Sequence, residues 1–376
     1  MVFHHRPLDD HYHGSSIMYA AFVSLLRSRL PVTVVAPPLA KPRTGAQGES
    51  TRIPLAAFRY LVQSQWEGIR FFLADARRPR KDPPRVLVAL DLYLAWLLAI
   101  WTRVRREHLV YYVSDLNRSV GPAWGRSGAP GGPLYRWTHW LLEWFAISAA
   151  DLVLVPSEAV RQDLSSSIPS DRIVVCRILK PLPAFRADAV AEWHRRLGLE
   201  GRIGVVFVGS FEYLPNVQAF RFLCDSLAPE ISSRDPRIRI VVAGRGSEGL
   251  AGGVPPNVSV VGTVDDLSSL LFACSVGVAP MTIPGGTSMK IVDYVLHGLE
   301  VVATPEASRG VDPSPRIHGA RLSEFVQRVC EVASRVDRPG ATPTHSPPPD
   351  PFYVKAYTEG AGSSAAIDTI VRWASE

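Results

Sequence analysis

The chain has 376 residues, 47% of them hydrophobic and 20% charged, with a formal net charge of +6 at pH 7. The length favours two domains of ordinary size, each able to bury its own core. The moderate positive charge suits anionic ligands such as nucleotide diphosphates, or a loose attraction to anionic membrane surfaces. With no zinc-finger spacing and no long basic arm, it makes no case for nucleic acid.

The N-terminal half reads as a doubly wound α/β unit. Met1–His4 is a short strand that runs straight into His4, His5 and Arg6, with no signal-peptide pattern. His4, His5, His11 and His13 are either metal ligands or a polar loop, and no carboxylate or cysteine completes a ligand set. The turn His13-Gly14-Ser15-Ser16 precedes a helix over 17–29 and a strand over 32–36. Periodicity predicts a helix over 56–74, then a strand over 85–90, a helix from Asp91 to about Arg105, and a strand over 109–113. The most apolar stretch, 87–101, contains Asp91 and is too short to cross a membrane. A Gly-, Pro- and Arg-rich loop over 114–133 has the length of a functional loop. The helix predicted over 134–148 carries Trp137, Trp140, Trp144 and Phe145. That stripe reads either as core or interdomain packing, or as a surface gripping a membrane or an apolar acceptor. A strand over 151–155 and a helix begun by Ser157 and Glu158 follow.

Two prolines between Leu179 and Asp188 mark a linker. A strand over 204–208 then ends in Gly209-Ser210, and a turn through Pro215 and Asn216 leads to a helix ending near Leu227. The strand over 238–243 ends in Gly244-Arg245-Gly246, and the strand over 258–261 in Gly262. A short helix over 265–272 and a strand over 276–279 come next. The segment over 337–351 is proline-rich and reads as irregular, and a helix over 364–375 follows. Cys176, Cys224, Cys274 and Cys330 are widely spaced in apolar surroundings, as buried thiols of a reducing cytoplasm would be.

The stretch 281–304 carries the clearest chemistry. Gly285, Gly286, Thr287 and Ser288 form a glycine-hydroxyl turn opening an apolar helix, with Lys290 about one turn in and Asp293 beyond it. Such a turn leaves backbone N–H groups unpaired at the positive end of the helix dipole, a place to hold phosphate. Asp293 supplies a carboxylate for sugar or ribose hydroxyls. The alternative is an ordinary strand-turn-helix-strand connection.

Taken in order, these motifs resemble the group 1 (family 4) glycosyltransferases. The resemblance rests on Phe207-Val208-Gly209-Ser210 with Asn216, Ala243-Gly244-Arg245-Gly246, Val261-Gly262-Thr263-Val264-Asp265-Asp266, Gly285-Gly286-Thr287 with Lys290, Val301-Val302-Ala303-Thr304, and Arg309-Gly310-Val311. In the first half, Ala89-Leu90-Asp91, the run from Leu109 to Leu116, and Val155-Pro156-Ser157-Glu158 add to it. The donor loop is similar to that of the glycine-glycine-threonine branch.

The resemblance implies a GT-B fold, two Rossmann-like domains facing across a cleft: an acceptor-binding domain over 1–182 and a nucleotide-sugar domain over 183–363. The helix over 364–375 would pack back on the first domain. It implies a retaining hexosyltransferase in polysaccharide biosynthesis, moving sugar from a nucleoside diphosphate sugar to a glycan, lipid-linked or small-molecule acceptor. No cofactor or obligatory metal is implied. The expected setting is cytoplasmic, with peripheral contact at the inner face of the membrane. Alternatives are a non-catalytic nucleotide-sugar-binding protein and a nucleotide-sugar epimerase.

By the same resemblance Gly14, Ser15, Gly209, Ser210, Asn216, Arg245, Gly285, Gly286, Thr287, Ser288 and Lys290 surround the diphosphate. Val264 meets the base through its backbone and Asp293 the ribose. Asp115 is the candidate for acceptor orientation or proton acceptance, and Asp91 either shares that role or caps the helix after it. Some positions depart from the family pattern. Leu90 and Ser114 stand where many relatives carry histidine, Ser210 and Asn216 where members without the glycine-threonine loop commonly use an arginine and a lysine, and Gly285 where an acidic residue contacts the donor sugar.

Overall fold

Short, uninterrupted apolar runs form the strands. The computed structural model describes residues 1–3, 14–35, 69–77, 85–113, 132–283, 287–336, 348–360 and 363–375. It divides into one unit of Met1–Lys180 with Gly360–Glu376 and another of Pro181–Glu359. The histidine cluster, Ser114, Asp115, Gly285, Gly286, the loop over 114–131 and most of the helix expected over 56–74 lie outside the described residues.

The first unit holds strands β1 (Val2–Phe3), β2 (Val34–Val35), β3 (Val86–Ala89), β4 (His108–Tyr112), β5 (Leu152–Val155) and β6 (Ile173–Val175). They pair in the order β2-β1-β3-β4-β5-β6, every pair parallel. β3 and β5 are buried along their whole length, as expected of parallel strands covered by helices on both faces. Their side chains join Leu98, Leu109 and Ile173 in one apolar core. The helix Gly14–Arg27 places Tyr19 and Phe22 edge-on to Tyr112, with ring centroids 5.5 and 5.8 Å away. The helix Ser364–Ser375 buries Ala366, Ile367 and Ile370 and packs beside β3 and β6. Trp373 stacks on His108 at 4.7 Å, Asp368 pairs with Arg29, and Ser363 Oγ donates to the Arg177 carbonyl at 2.9 Å.

Core packing of the tryptophan stripe is overturned. The helix Gly132–Ala149 buries Glu143, Ala146 and Ile147, which share its inner face. Trp137, Trp140 and Trp144 stand outward at 58%, 46% and 53% exposure.

The second unit holds β7 (Ile203–Val208), β8 (Ile238–Ala243), β9 (Val258–Gly262), β10 (Val276–Ala279), β11 (Glu300–Ala303) and β12 (Ile317–Gly319). Their order is β12-β11-β10-β7-β8-β9, again all parallel. The chain builds outward from β7 to β9, then returns to β7's other edge and builds outward again. The boundary between β7 and β10 is therefore the topological switch point of the sheet, where α/β proteins place ligands.

Three helices depart from expectation. The helix that begins at Leu214 does not stop near Leu227 but passes through a π turn at Leu223–Leu227 and continues to Arg234. The wide turn, closed by Ala228 N–H to the Leu223 carbonyl, lets the helix pass Pro229, which has no N–H to donate. The helix Ala187–Arg196 begins inside the expected linker. An unanticipated helix, Pro351–Tyr357, starts where the segment expected to be irregular ends, begun by Asp350, which accepts from Phe352 and Tyr353 N–H at 2.9 and 3.4 Å. Its Tyr353 and Tyr357 hydroxyls donate to the Asp312 carbonyl and carboxylate at 2.5 and 2.6 Å. It packs on the helix Met289–Leu296, which carries Lys290.

All four cysteines are free thiols, Cys176 and Cys274 fully buried. Burial pushes both of these up to about 12, which keeps them protonated and inert.

Candidate functional site

Glycines let the carboxyl ends of β7, β8 and β9 approach closely. Gly209 N–H donates to the Ala243 carbonyl at 3.1 Å, and Gly244 N–H to the Gly262 carbonyl at 2.8 Å. Gly244 has φ +129°, and a Cβ there would lie 2.0 Å from the Gly209 carbonyl oxygen. A Cβ on Gly209 would lie 2.7 Å from Asn216 Nδ2. Only glycine fits the Gly244 position.

This packing sets Asn216 between the two sides of the switch point. Its Nδ2 donates to the Ser210 carbonyl at 2.8 Å, and its Oδ1 accepts from Lys290 Nζ at 2.7 Å. Lys290 Nζ also lies 4.1 Å from the centre of the Phe207 ring and 3.5 Å from Met281 Sδ. Thr304, at the end of β11, fixes the Met281 segment by donating its hydroxyl to the Met281 carbonyl. Asn216 and the ring face both favour the charged lysine. Burial opposes them and prevails, lowering Lys290 from 10.5 to about 7. Thr287 Oγ1 and Ser288 Oγ, in the turn that opens the lysine's helix, are buried and have no hydrogen-bond partner among the described residues. Buried polar atoms are ordinarily satisfied, so two adjacent exceptions at a helix N-terminus mark a place suited to an anionic ligand.

Arg245 stands beside this group, its carbonyl accepting from Phe211 N–H at 2.9 Å. Its guanidinium forms a 2.8 Å ion pair with Glu212. Thr263 N–H and Oγ1 both donate to Glu248 Oε1, at 2.6 and 2.8 Å, which holds the backbone leading to Val264. Val264 itself is half-buried against the core. Asp293 is half-buried one turn beyond Lys290, and its carbonyl binds His297 Nδ1 at 2.6 Å. A carbonyl can only accept, so Nδ1 carries the proton and Nε2 accepts from the Ser268 hydroxyl at 2.8 Å. This pair anchors the end of the helix.

In the first unit Gly14 and Ser15 open the helix that follows β1. Asp91 follows β3, and its carboxylate accepts from Leu94 N–H at 3.3 Å, which makes it the N-cap of the helix Leu92–Arg105. The two substitutions at Asp91 separate capping from proton acceptance. Asp91→Ala is expected to cost about 1 kcal/mol of stability in denaturant titration, and Asp91→Asn only a few tenths. A loss of turnover in Asp91→Asn at full stability would mark a chemical role as well.

The structure thus brings Gly209, Ser210, Asn216 and Lys290 together, with Thr287 and Ser288 in the adjoining turn. Phe207, Met281 and Thr304 lie in the stretches the sequence singles out, but their place in the site does not follow from it. Phe207, two residues before Gly209 on β7, was the one with a local signal. Among the described residues, no group of three or more His, Cys, Asp or Glu side chains is arranged to hold a metal ion.

Two family models match the chain, one described as glycosyl transferases group 1 over residues 202–332 and the other as glycosyltransferase family 4 over residues 13–177. Among curated protein sequences none matches significantly. Among solved structures, Anabaena HepE in complex with UDP and glucose is similar with a TM-score of 0.65 at 16% identity, covering 99% of each chain. WaaG, a glycosyltransferase involved in lipopolysaccharide biosynthesis, is similar with a TM-score of 0.62 at 13% identity over 98% of each chain. Sucrose-phosphate synthase from Thermosynechococcus elongatus has a TM-score of 0.62 at 15% identity over 100% of this chain and 95% of its own. At such identities the likeness shows the fold, the GT-B class with its two Rossmann-like domains. A glycosyltransferase model thus matches each half of the chain, the group 1 model on the second half.

Proposed function

We propose that this chain is a retaining hexosyltransferase of the glycine-glycine-threonine branch, with a nucleoside diphosphate sugar as donor. The observation that carries the reading is the buried lysine at the switch point, next to two hydroxyls that have no partner among the described residues at the start of its own helix. UDP-sugars are the first donors to try, because HepE, of the same fold, is seen with UDP and glucose.

In this reading the second unit binds the donor. The diphosphate displaces Asn216 from Lys290, or shares the lysine with it, and takes the N–H groups of Gly286, Thr287 and Ser288. These fixed donors stabilise the charge that develops on the leaving diphosphate as the sugar-phosphate bond breaks and the acceptor oxygen bonds to the anomeric carbon. Lys290 and the helix N-terminus carry that charge without an obligatory metal. Arg245 adds a second cation when it leaves Glu212. Val264 meets the base and Asp293 the ribose. The first unit takes the acceptor, with Asp115 and Asp91 as the groups that orient it or accept its proton, and Gly14 and Ser15 near the phosphates. The acceptor is a glycan, lipid-linked or small molecule of polysaccharide biosynthesis, reached from the cytoplasmic side of a membrane.

Transfer and donor-hydrolysis assays with a panel of nucleotide sugars test the proposal. Saturable donor binding with product of retained anomeric configuration is the expected result. Neither binding nor turnover with any donor would overturn it. Binding without turnover, in the presence of acceptors from cell extracts, would favour a non-catalytic nucleotide-sugar-binding protein.

A pH dependence follows from Lys290. In the free protein it titrates at about 7, and a bound diphosphate raises that value, so binding takes up a proton. UDP affinity is therefore expected to fall as pH rises from 7, by up to about tenfold per pH unit. Calorimetry in buffers of different ionisation enthalpy reads the proton uptake directly. Pure proton release on binding would contradict the assignment.

A further inference from the structure

We propose that the outward face of the helix Gly132–Ala149, with its neighbour Leu92–Arg105, is a surface that docks on an anionic lipid bilayer. The inference deepens the reading of a protein working at a membrane face and rests on observations separate from the donor site.

Trp137, Trp140, Leu141 and Trp144 follow one another at helical spacing and are all exposed. The adjoining helix adds Ile100 and Val104, at 48% and 56% exposure. The two helices pack together, so the six side chains belong to one pair of elements. Single exposed apolar residues need no explanation, but a band containing three tryptophans does. Tryptophan combines an apolar body with an N–H donor and is suited to the level of lipid headgroups.

Charge favours lipid over a second protein as the occupant. The Arg103 guanidinium sits 5.9 Å from the ring centre of Phe145, beside Trp144. Arg103, Arg106 and Arg172 line a hollow of about 450 Å³ with Ser148 and Ala149, at the end of the tryptophan helix. Two acids line that hollow as well, Glu107, whose Oε1 accepts from Arg85 at 2.8 Å, and the exposed Asp151, which accepts from Leu109 N–H at 2.8 Å, so the three arginines outnumber them. The only acid on either helix, Glu143, is buried on the inner face. An apolar band with an arginine rim and no exposed acid on its two helices matches an anionic interface. Among the described residues no helix is long and apolar enough to cross a membrane, so the contact is peripheral.

Cosedimentation of the full chain with phosphatidylcholine vesicles, with and without phosphatidylglycerol, is the test. Wild type is expected to bind the anionic vesicles, with affinity falling as salt rises. The triple substitution Trp137→Ser, Trp140→Ser, Trp144→Ser is expected to bind at least about tenfold more weakly. Arg103→Gln with Arg106→Gln is expected to lose about tenfold and most of the salt dependence. Quenching of wild-type tryptophan fluorescence by brominated lipid, absent in the triple variant, gives a second readout. UDP binding measured on each variant checks folding and separates this surface from the donor site. No binding of wild type to either vesicle, or equal binding by the triple variant, overturns the proposal. So does a concentration-dependent dimer that the triple variant loses, with no lipid binding, because the occupant is then a second copy.

Discussion

Lys290→Met is expected to abolish nucleotide binding while making the free protein more stable. Transfer of a lysine from water to this site moves it from 10.5 to about 7, a full linkage on the order of 4–5 kcal/mol. Methionine removes that cost but also loses the bond to Asn216 and the contact with Phe207, leaving a net gain of about 1–2 kcal/mol. The pH dependence identifies the source. A lysine lowered in the folded state binds fewer protons there than in the unfolded chain, so wild-type stability rises between pH 7 and 10.5 and is flat in this respect below 7. The variant lacks that rise. UDP affinity is expected to fall at least about a hundredfold, since the diphosphate loses its buried cation. Thermal melts across pH and titration calorimetry with UDP measure both. A variant that binds UDP as well as wild type would remove Lys290 from the donor site. Equal stability at all pH values would mean that the lysine's burial costs nothing.

Gly244→Ala is expected to cost about 3–5 kcal/mol of stability. The new methyl group would stand 2.0 Å from the Gly209 carbonyl oxygen, on backbone already at φ +129°. Neither partner yields cheaply, because Gly209 N–H is bonded to Ala243 and Gly244 N–H to Gly262. Relief requires the ends of β7 and β8 to separate, and Gly209 moving also displaces Asn216, whose amide lies 2.7 Å from where a Gly209 Cβ would be. Any folded fraction should therefore bind UDP poorly. Denaturant unfolding gives the stability loss, with Gly253→Ala as a comparison that shares positive φ (+78°) but has open space around it. A loss at Gly244 no larger than at Gly253 would show that close approach plays no part.

The alternation of apolar runs and punctuating glycines made most strands of both sheets legible. Ser157 as a helix cap and the glycines closing β7, β8 and β9 were readable because their signals are local. Other features depend on distant residues. Asp350-Pro351 looks like a break, yet proline in the first helical turn starts a helix when an acid caps it. What holds that helix in place is Asp312, far away in sequence. The bond between Lys290 and Asn216 spans 74 residues, and nothing near either one announces it. It makes the cation that the spacing placed one turn into the helix a buried one with its own partner. The tryptophans at 137, 140 and 144 defined a helix face from sequence, but periodicity alone does not say whether a face meets protein or solvent.

The helix Ser364–Ser375 completes the first unit, yet all of the second unit lies between it and the rest of that unit in the chain. During translation the second unit therefore emerges whole while the first still lacks the cover that Ala366, Ile367 and Ile370 provide over β3 and β6. Vectorial folding is inverted: the half that leaves the ribosome earliest is finished last, and in that interval it is the half most in need of chaperone protection.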